Sequence, residues 1–243
     1  MTEQTSLTNI GEKIISDKTR LYNALMVTGV FLGVMWAVFA FDHYLDMPLN
    51  RYGLRPRSAE GLIGVITIHF LHSNLQHIWQ NTMAFAVLNT MLFFFYRPLS
   101  LKVFLYLLVL SPLLMWLWAR PDNHIGSSVL VYGIASFLFV SGVVRWDTQL
   151  MRVSLFVAMF YGSLVWYLFP IEERISWEGH LSGAIAGAAL AWIYRHQGPQ
   201  RKVYTWENEP DEEEAPVQLP PDNITYTEIP TFTGENRKID LDK

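Results

Sequence analysis

The segment His124-Ile-Gly-Ser-Ser128-Val-Leu-Val-Tyr132-Gly133 passes from a polar loop into an apolar run that lasts to Val144 and is closed by Arg145-Trp-Asp147. About twenty apolar residues suffice to cross the hydrocarbon core of a bilayer, so the run reads as a membrane span with a serine at its mouth. A second stretch, Trp177-Glu-Gly-His180-Leu-Ser-Gly183, opens another apolar run that ends near Tyr194. Neither Ser128 nor His180 contributes much to a lipid-facing helix. Two readings stand at this point: both residues pack helices, or together they form a nucleophile and its base.

Composition sets the class. Apolar residues make up 51% of the 243 and charged residues 16%, against a usual charged share of roughly a quarter. Of the 22 Asp and Glu, eleven lie beyond residue 200, and half of the 12 prolines lie beyond Gln197. What precedes that tail is overwhelmingly apolar, which predicts an all-α polytopic membrane protein in direct contact with the lipid bilayer. The chain has no cysteine, which excludes disulfides, a thiol nucleophile and a Cys-ligated metal. Its net charge of −4 comes from the tail, and no nucleic-acid partner is expected. The first twenty residues are polar, so no signal peptide is expected there.

Six spans are expected. The first covers about Leu21 to Tyr44 and is ended by Asp42, His43 and Asp46; Met47 to Glu60 is an interfacial loop. Gly61 to Tyr96 is too long for one span. Its first part, to Phe70, lies in the interface or re-enters, and the second span starts near Leu71–Leu75 and stops before Arg97-Pro98. The others run from about Leu101 to Ala119, Ser128 to Val144, Leu150 to Phe169 (stopped by Pro170) and Trp177 to Tyr194. Residues 1–20 form an N-terminal lead and 21–196 the membrane domain. Residues 197–243, rich in Pro, Glu, Asp and Thr, read as a disordered acidic cytoplasmic tail, with Glu212-Glu213-Glu214 a solvated charge run.

Lys and Arg in the flanks set orientation. With the N-terminus in the cytoplasm, ten lie inside (Lys13, Lys18, Arg20, Arg97, Lys102, Arg145, Arg152, Arg195, Arg201, Lys202) and five outside (Arg51, Arg55, Arg57, Arg120, Arg174). Both termini are then cytoplasmic, and His72, Ser128 and His180 come from three spans to one level near the outer surface.

Polar side chains at membrane depth are costly and are functional candidates by default. His72-Ser-Asn-Leu-Gln-His77-Ile-Trp-Gln-Asn81 holds three of them. His77 and Asn81 are four apart and share a helix face; the alternative is that they hydrogen-bond across helices as polar residues in bundles do. His72 and His77 are five apart, poor spacing for two metal ligands on one helix, and no H-E-x-x-H occurs. No metal is expected, and the spans lack the paired aspartates of an aspartyl protease. Gly126 allows close approach, and the head of the fourth span offers free N–H groups beside Ser128, natural donors to an oxyanion. Tyr132 is one turn below and can pack against an imidazole. Small residues at every fourth position from Gly179 through Gly183 to Gly187 permit close helix contact, which would bring His180 to Ser128. No acidic residue is well placed to orient His180, so a dyad is expected.

These residues resemble the rhomboid family of intramembrane serine proteases. His72, His77 and Asn81 match its H-x-x-x-x-H-x-x-x-N; Gly126, Ser128 and Tyr132 match its G-x-S with Tyr four residues on; His180, Gly183 and Gly187 match its final-helix histidine with small residues. The motifs fall on spans two, four and six, and the likeness covers about residues 50 to 195. Tyr52-Gly-Leu-Arg-Pro-Arg57 and Ser176-Trp-Glu-Gly-His180 are similar to stretches of bacterial members.

The resemblance implies a six-transmembrane-helix rhomboid-like bundle with a membrane-embedded first loop over residues 47–70. It implies Ser128 as nucleophile, His180 as general base and then acid, and His77, Asn81 and the Ser128 N–H as oxyanion donors. Gly126 would shape the turn, Tyr132 support the His180 ring, His72 steady the interface loop, and Phe156, Phe160 and Trp166 flank a lateral gate. The implied substrate is a single-span membrane protein, cut in or just outside its transmembrane segment where Gly or Pro loosens the helix. No cofactor is implied, and a bacterial cytoplasmic membrane is the implied location. One departure stands out: the usual Gly after the serine is Val129. A β-branched residue there narrows the space around the nucleophile or restricts the turn. It points to reduced or specialised activity, or to a relative that binds transmembrane helices without cutting them. A transporter lacks support, with no broken-helix repeat or acidic relay.

Overall fold

The computed structural model describes residues 2–45, 47–172 and 175–201, with side chains from Ser16 onward. Of the tail read as disordered, residues 197–201 are described, and 202–243, with Lys202 and the Glu212–Glu214 run, lie outside the described residues, as do Asp46 and Arg174. Seven α-helices and no strand occur among those described: α1 Thr2–Tyr44, α2 Gly64–Thr67, α3 Leu75–Phe95, α4 Arg97–Trp118, α5 Ser128–Arg145, α6 Thr148–Tyr161 and α7 Trp177–Ile193.

Among the described residues, five helices are long and apolar enough to cross a membrane: Ser16–Tyr44 within α1, then α3, α4, α5, and Thr148–Leu168, which joins α6 to a following 3-10 segment. The sixth expected span, α7, has 17 residues and measures about 26 Å. It is the small-residue helix packed between α4 and α5, so protein rather than lipid surrounds much of it. The fifth run changes geometry part-way: the α-helix stops at Tyr161 and residues Gly162–Leu168 continue as a 3-10 helix. Gly162 has no neighbour within 4 Å where its Cβ would be, so nothing there offsets the ~1 kcal/mol that Gly costs an α-helix.

Local chemistry sets the boundaries. Asn74 Oδ1 accepts the His77 N–H at 2.9 Å and starts α3, and Asp147 Oδ1 accepts from Gln149 and Leu150 at 3.0 Å to start α6; both are side-chain N-caps. Pro98 sits in the first turn of α4, where its missing N–H costs nothing. Between α5 and α6, Trp146 takes a left-handed φ of 52° that reverses the chain in two residues.

α5 and α7 form the most extensive helix pair. Of the α5 span 67% is buried, against 22% of Thr148–Leu168, so α5 is central and α6 peripheral. The two central helices run parallel and in step. A Cβ at Gly183 would collide with the Val129 carbonyl oxygen, and one at Gly187, a turn further on, with that of Gly133, also a turn further on. A buried guanidinium fastens their far ends: Arg145 donates to Ser141 Oγ (2.8 Å), Tyr194 O (2.5 Å), Gln197 O (2.6 Å) and Pro199 O (2.9 Å).

The first loop folds against α4. Asp42 accepts the Leu49 N–H at 2.6 Å, and the loop then runs through short 3-10 turns and the single turn α2. Leu54 and His124 exchange both backbone bonds as an antiparallel bridge. Arg57 donates to Ala119 O at 2.7 Å and the Trp116 indole to Ser58 O at 3.0 Å. Pro112, inside α4, has no N–H for the Leu108 carbonyl four residues earlier. His69 Nε2 supplies the missing donor at 2.8 Å.

Candidate active site

Ser128 is the first residue of α5 and is half-buried. The preceding turn depends on Gly126, whose φ of +116° is open in practice only to glycine. A Cβ there would lie 2.6 Å from His77 Nε2 and 3.8 Å from Asn81 Nδ2, so both α3 side chains face the turn two residues before Ser128. His77 is half-buried and Asn81 buried. Asn81 Nδ2 donates to His77 O at 3.2 Å, and Ser73 Oγ bonds His77 Nδ1 at 3.3 Å.

The N–H groups of this turn are unevenly used. Gly126 donates to Ile68 O at 2.9 Å and Ser127 makes a long 3.5 Å contact to His72 Nε2. The Ser128 N–H has no acceptor among the described residues, as befits the first turn of a helix. His72 is buried, and burial pushes its pKa down to about 3, so its ring is neutral and Nε2 can accept. Its ring edge lies against His77 with centroids 5.0 Å apart. Ser127, the second hydroxyl, has no exposed surface and turns towards Met35 Sδ at 3.6 Å. Burial separates the two serines: only Ser128 is open to a ligand.

His180 lies in the first turn of α7. Its ring stacks on Tyr132 with centroids 4.1 Å apart and planes 7° from parallel. Val129 O touches the backbone at Gly183, and Ser128 and His180 each stand about a turn or less above that contact, so they share a level. No hydrogen bond joins Ser128 Oγ to His180 among the described residues, and such bonds commonly tighten only with substrate bound. His180 Nδ1 meets Tyr167 O at 2.9 Å. A carbonyl oxygen only accepts, so Nδ1 carries the hydrogen and Nε2 keeps the lone pair.

Two residues, His124 and Arg120, tie the Gly126 loop to the head of α7. His124 bonds Ser176 Oγ through Nδ1 at 2.9 Å and Arg120 O through Nε2 at 3.1 Å. Arg120 approaches the buried Glu178 at 3.6 Å and donates to Ile175 O at 2.9 Å. The structure thus gathers Ser128, His180, Tyr132, Gly126, His77, Asn81 and His72 at one end of the bundle. No cluster of three side chains suited to a metal occurs among the described residues.

Val129 corrects one expectation. Its side chain is 1% exposed and packs with Leu54, Val65, Ile68, Met115 and Ala119. The added bulk is taken up in this cluster between the first loop and α4, rather than in the space around Ser128. Residue spacing gave no sign of the Tyr167 and Leu164 carbonyls, because a backbone acceptor leaves no mark in sequence. Ser176 and Glu178 stood in a quoted stretch without an assigned contact.

The fold and this cluster define an integral membrane protein, an all-helical bundle with its polar residues at one end. Residues 59–197 match the rhomboid domain family, and the chain belongs to the rhomboid family. It is similar to uncharacterized proteins of Mycobacterium tuberculosis and Mycobacterium bovis, each 33% identical over 189 residues that cover 71% of this chain and 75% of the relative. An uncharacterized protein of Mycobacterium leprae is 29% identical over 211 residues, covering 80% of this chain and 81% of the relative.

Proposed function

We propose that this protein is a serine endopeptidase that cuts transmembrane segments of single-span membrane proteins inside the bilayer. Ser128 Oγ attacks the scissile carbonyl carbon as its proton passes to His180 Nε2. The resulting oxyanion accepts from the Ser128 N–H, His77 and Asn81, and each such donor lowers the barrier by roughly 3–4 kcal/mol. Collapse of the tetrahedral intermediate breaks the C–N bond, and the leaving amine takes the proton from Nε2. Water then repeats the sequence on the acyl-enzyme, with His180 again as base. Membership of a family of mostly serine proteases supports this reading, and the bias of Lys and Arg supports an outward-facing site with both termini in the cytoplasm.

The observation that carries the proposal is the Tyr132–His180 stack at the level of Ser128, with the basic nitrogen of His180 left unprotonated by the Tyr167 contact. The helix-binding alternative drew on Val129 alone, and Val129 packs away into the Leu54–Met115 cluster. The test is cleavage of a single-span substrate in liposomes by wild type, Ser128→Ala, His180→Ala and Ser127→Ala. Cleavage lost in the first two variants and kept in the third supports the dyad. An inert wild type that still co-purifies with substrate overturns it in favour of binding.

A further inference from the structure

The 3-10 segment Gly162–Leu168 presents two backbone carbonyls to one aromatic pair. Residues three apart eclipse in a 3-10 helix, so the carbonyls of Leu164 and Tyr167 lie along the same side. Leu164 O accepts the Tyr132 hydroxyl at 3.0 Å and Tyr167 O accepts His180 Nδ1–H at 2.9 Å. Tyr132 and His180 are the two rings stacked at 4.1 Å. Sequence explains why Tyr167 O is free for this. Continued 3-10 pairing would use the N–H of residue 170, which is Pro170 and has none. The chain turns extended at Phe169, and the Ile171 N–H goes to Phe169 O at 2.8 Å.

We infer that the Gly162–Leu168 segment is the orienting third member of the Ser128–His180 dyad, the Tyr167 carbonyl fixing the His180 tautomer and the Leu164 carbonyl fixing the ring beneath it. This rests on the proposed protease function. In serine hydrolases with a triad, a carboxylate bonded to Nδ1–H holds the imidazole in the tautomer whose Nε2 accepts the serine proton. A backbone carbonyl meets the same geometric need and adds no charge at membrane depth, where an unpaired carboxylate is costly. The nearest acidic side chain in sequence, Glu178, is buried and turned to Arg120. Tyr167 and Leu164 are positioning residues that act through His180 and Tyr132, and through their backbone alone.

The test has two readouts on the full chain. The first is the ¹⁵N spectrum of ¹⁵N-histidine-labelled Ser128→Ala protein in micelles at neutral pH, with His180 assigned by its loss in His180→Gln. The expected result is Nδ1 protonated and Nε2 unprotonated, without exchange averaging. The second replaces an amide by an ester, Leu168→leucic acid, which weakens the Tyr167 carbonyl as acceptor, with Trp166→its hydroxy-acid analogue as the control that loses an N–H in the same segment without altering the Leu164 or Tyr167 carbonyl. The Leu168 ester is expected to lower kcat roughly tenfold, as loss of about one net hydrogen bond, with KM unchanged and a mixed tautomer. The control ester is expected to keep the tautomer. An Nε2-protonated His180, or an ester that changes neither tautomer nor kcat, overturns the inference. A wild type that cannot cleave but holds Nδ1–H defeats the protease proposal and leaves the orienting contact standing. A wild type that cleaves with Nε2–H does the reverse.

Discussion

Alanine at Gly183 is the most direct perturbation of the helix contact on which the site depends. The new Cβ would lie inside the contact distance of the Val129 carbonyl oxygen and 3.1 Å from the Gly133 nitrogen. Both are backbone atoms of α5 and neither can rotate away, so the helices must part. A carbon–oxygen contact settles near 3.3–3.6 Å, which requires a displacement of somewhat over 1 Å. Overpacking of this kind costs about 1–3 kcal/mol, and misplacing reacting groups by about 1 Å costs on the order of 100-fold in rate. Gly183→Ala should therefore lower the melting temperature in detergent and reduce substrate cleavage about 100-fold while the protein stays helical. Gly29→Ala is the matched control, since no atom lies within 4 Å of a Cβ there; it should be neutral or gain up to ~1 kcal/mol from helix propensity. A Gly183→Ala protein as stable and as active as wild type would refute the claim that backbone contact between α5 and α7 sets the distance from Ser128 to His180.

Three further outcomes are expected. Val129→Gly empties a fully buried position among Leu54, Ile68 and Met115 and should destabilise by about 2–4 kcal/mol without raising cleavage; a gain in activity would show that Val129 restrains the nucleophile. Arg145→Met removes the donor to the carbonyls of Gln197 and Pro199 and leaves that of Tyr194 with the Gln197 N–H alone, and thermal unfolding should report a loss of about 3 kcal/mol or more. His72 is neutral in the fold with its pKa lowered to about 3, so below about pH 6.5 the unfolded chain binds the proton more readily. Its contribution to stability is full above pH 6.5 and lost as pH falls towards 3; His72→Gln should flatten that part of the melting profile, and an unchanged slope would contradict it.

Much of this site was legible because its chemistry uses side chains at helical spacing. His77 and Asn81 lie four apart, Ser128 and Tyr132 four apart, and Gly183 and Gly187 four apart; those intervals placed the groups on faces before any fold was known. The apolar runs gave the spans to within a few residues, and Asn74 and Asp147 explain two of their starts. What stayed hidden was held by backbone or by direction. The Tyr167 and Leu164 carbonyls have no residue signature, and the change from α to 3-10 geometry at Gly162 reflects missing packing rather than a motif. The direction of Val129, towards α4 and the first loop, follows from the rotation of α5, which spacing alone does not fix. The pairing of His69 with the carbonyl freed by Pro112 could be anticipated only once the first loop was known to lie on α4.

The most direct measurement is covalent labelling of the full-length chain in detergent with a fluorophosphonate probe, followed by peptide mapping. A hydroxyl activated by His180 reacts with such a probe and an ordinary serine does not. The expected result is a single adduct on Ser128 that disappears in His180→Ala and persists in Ser127→Ala. Labelling on Ser127, or labelling of Ser128 that survives removal of the His180 imidazole, would contradict the dyad.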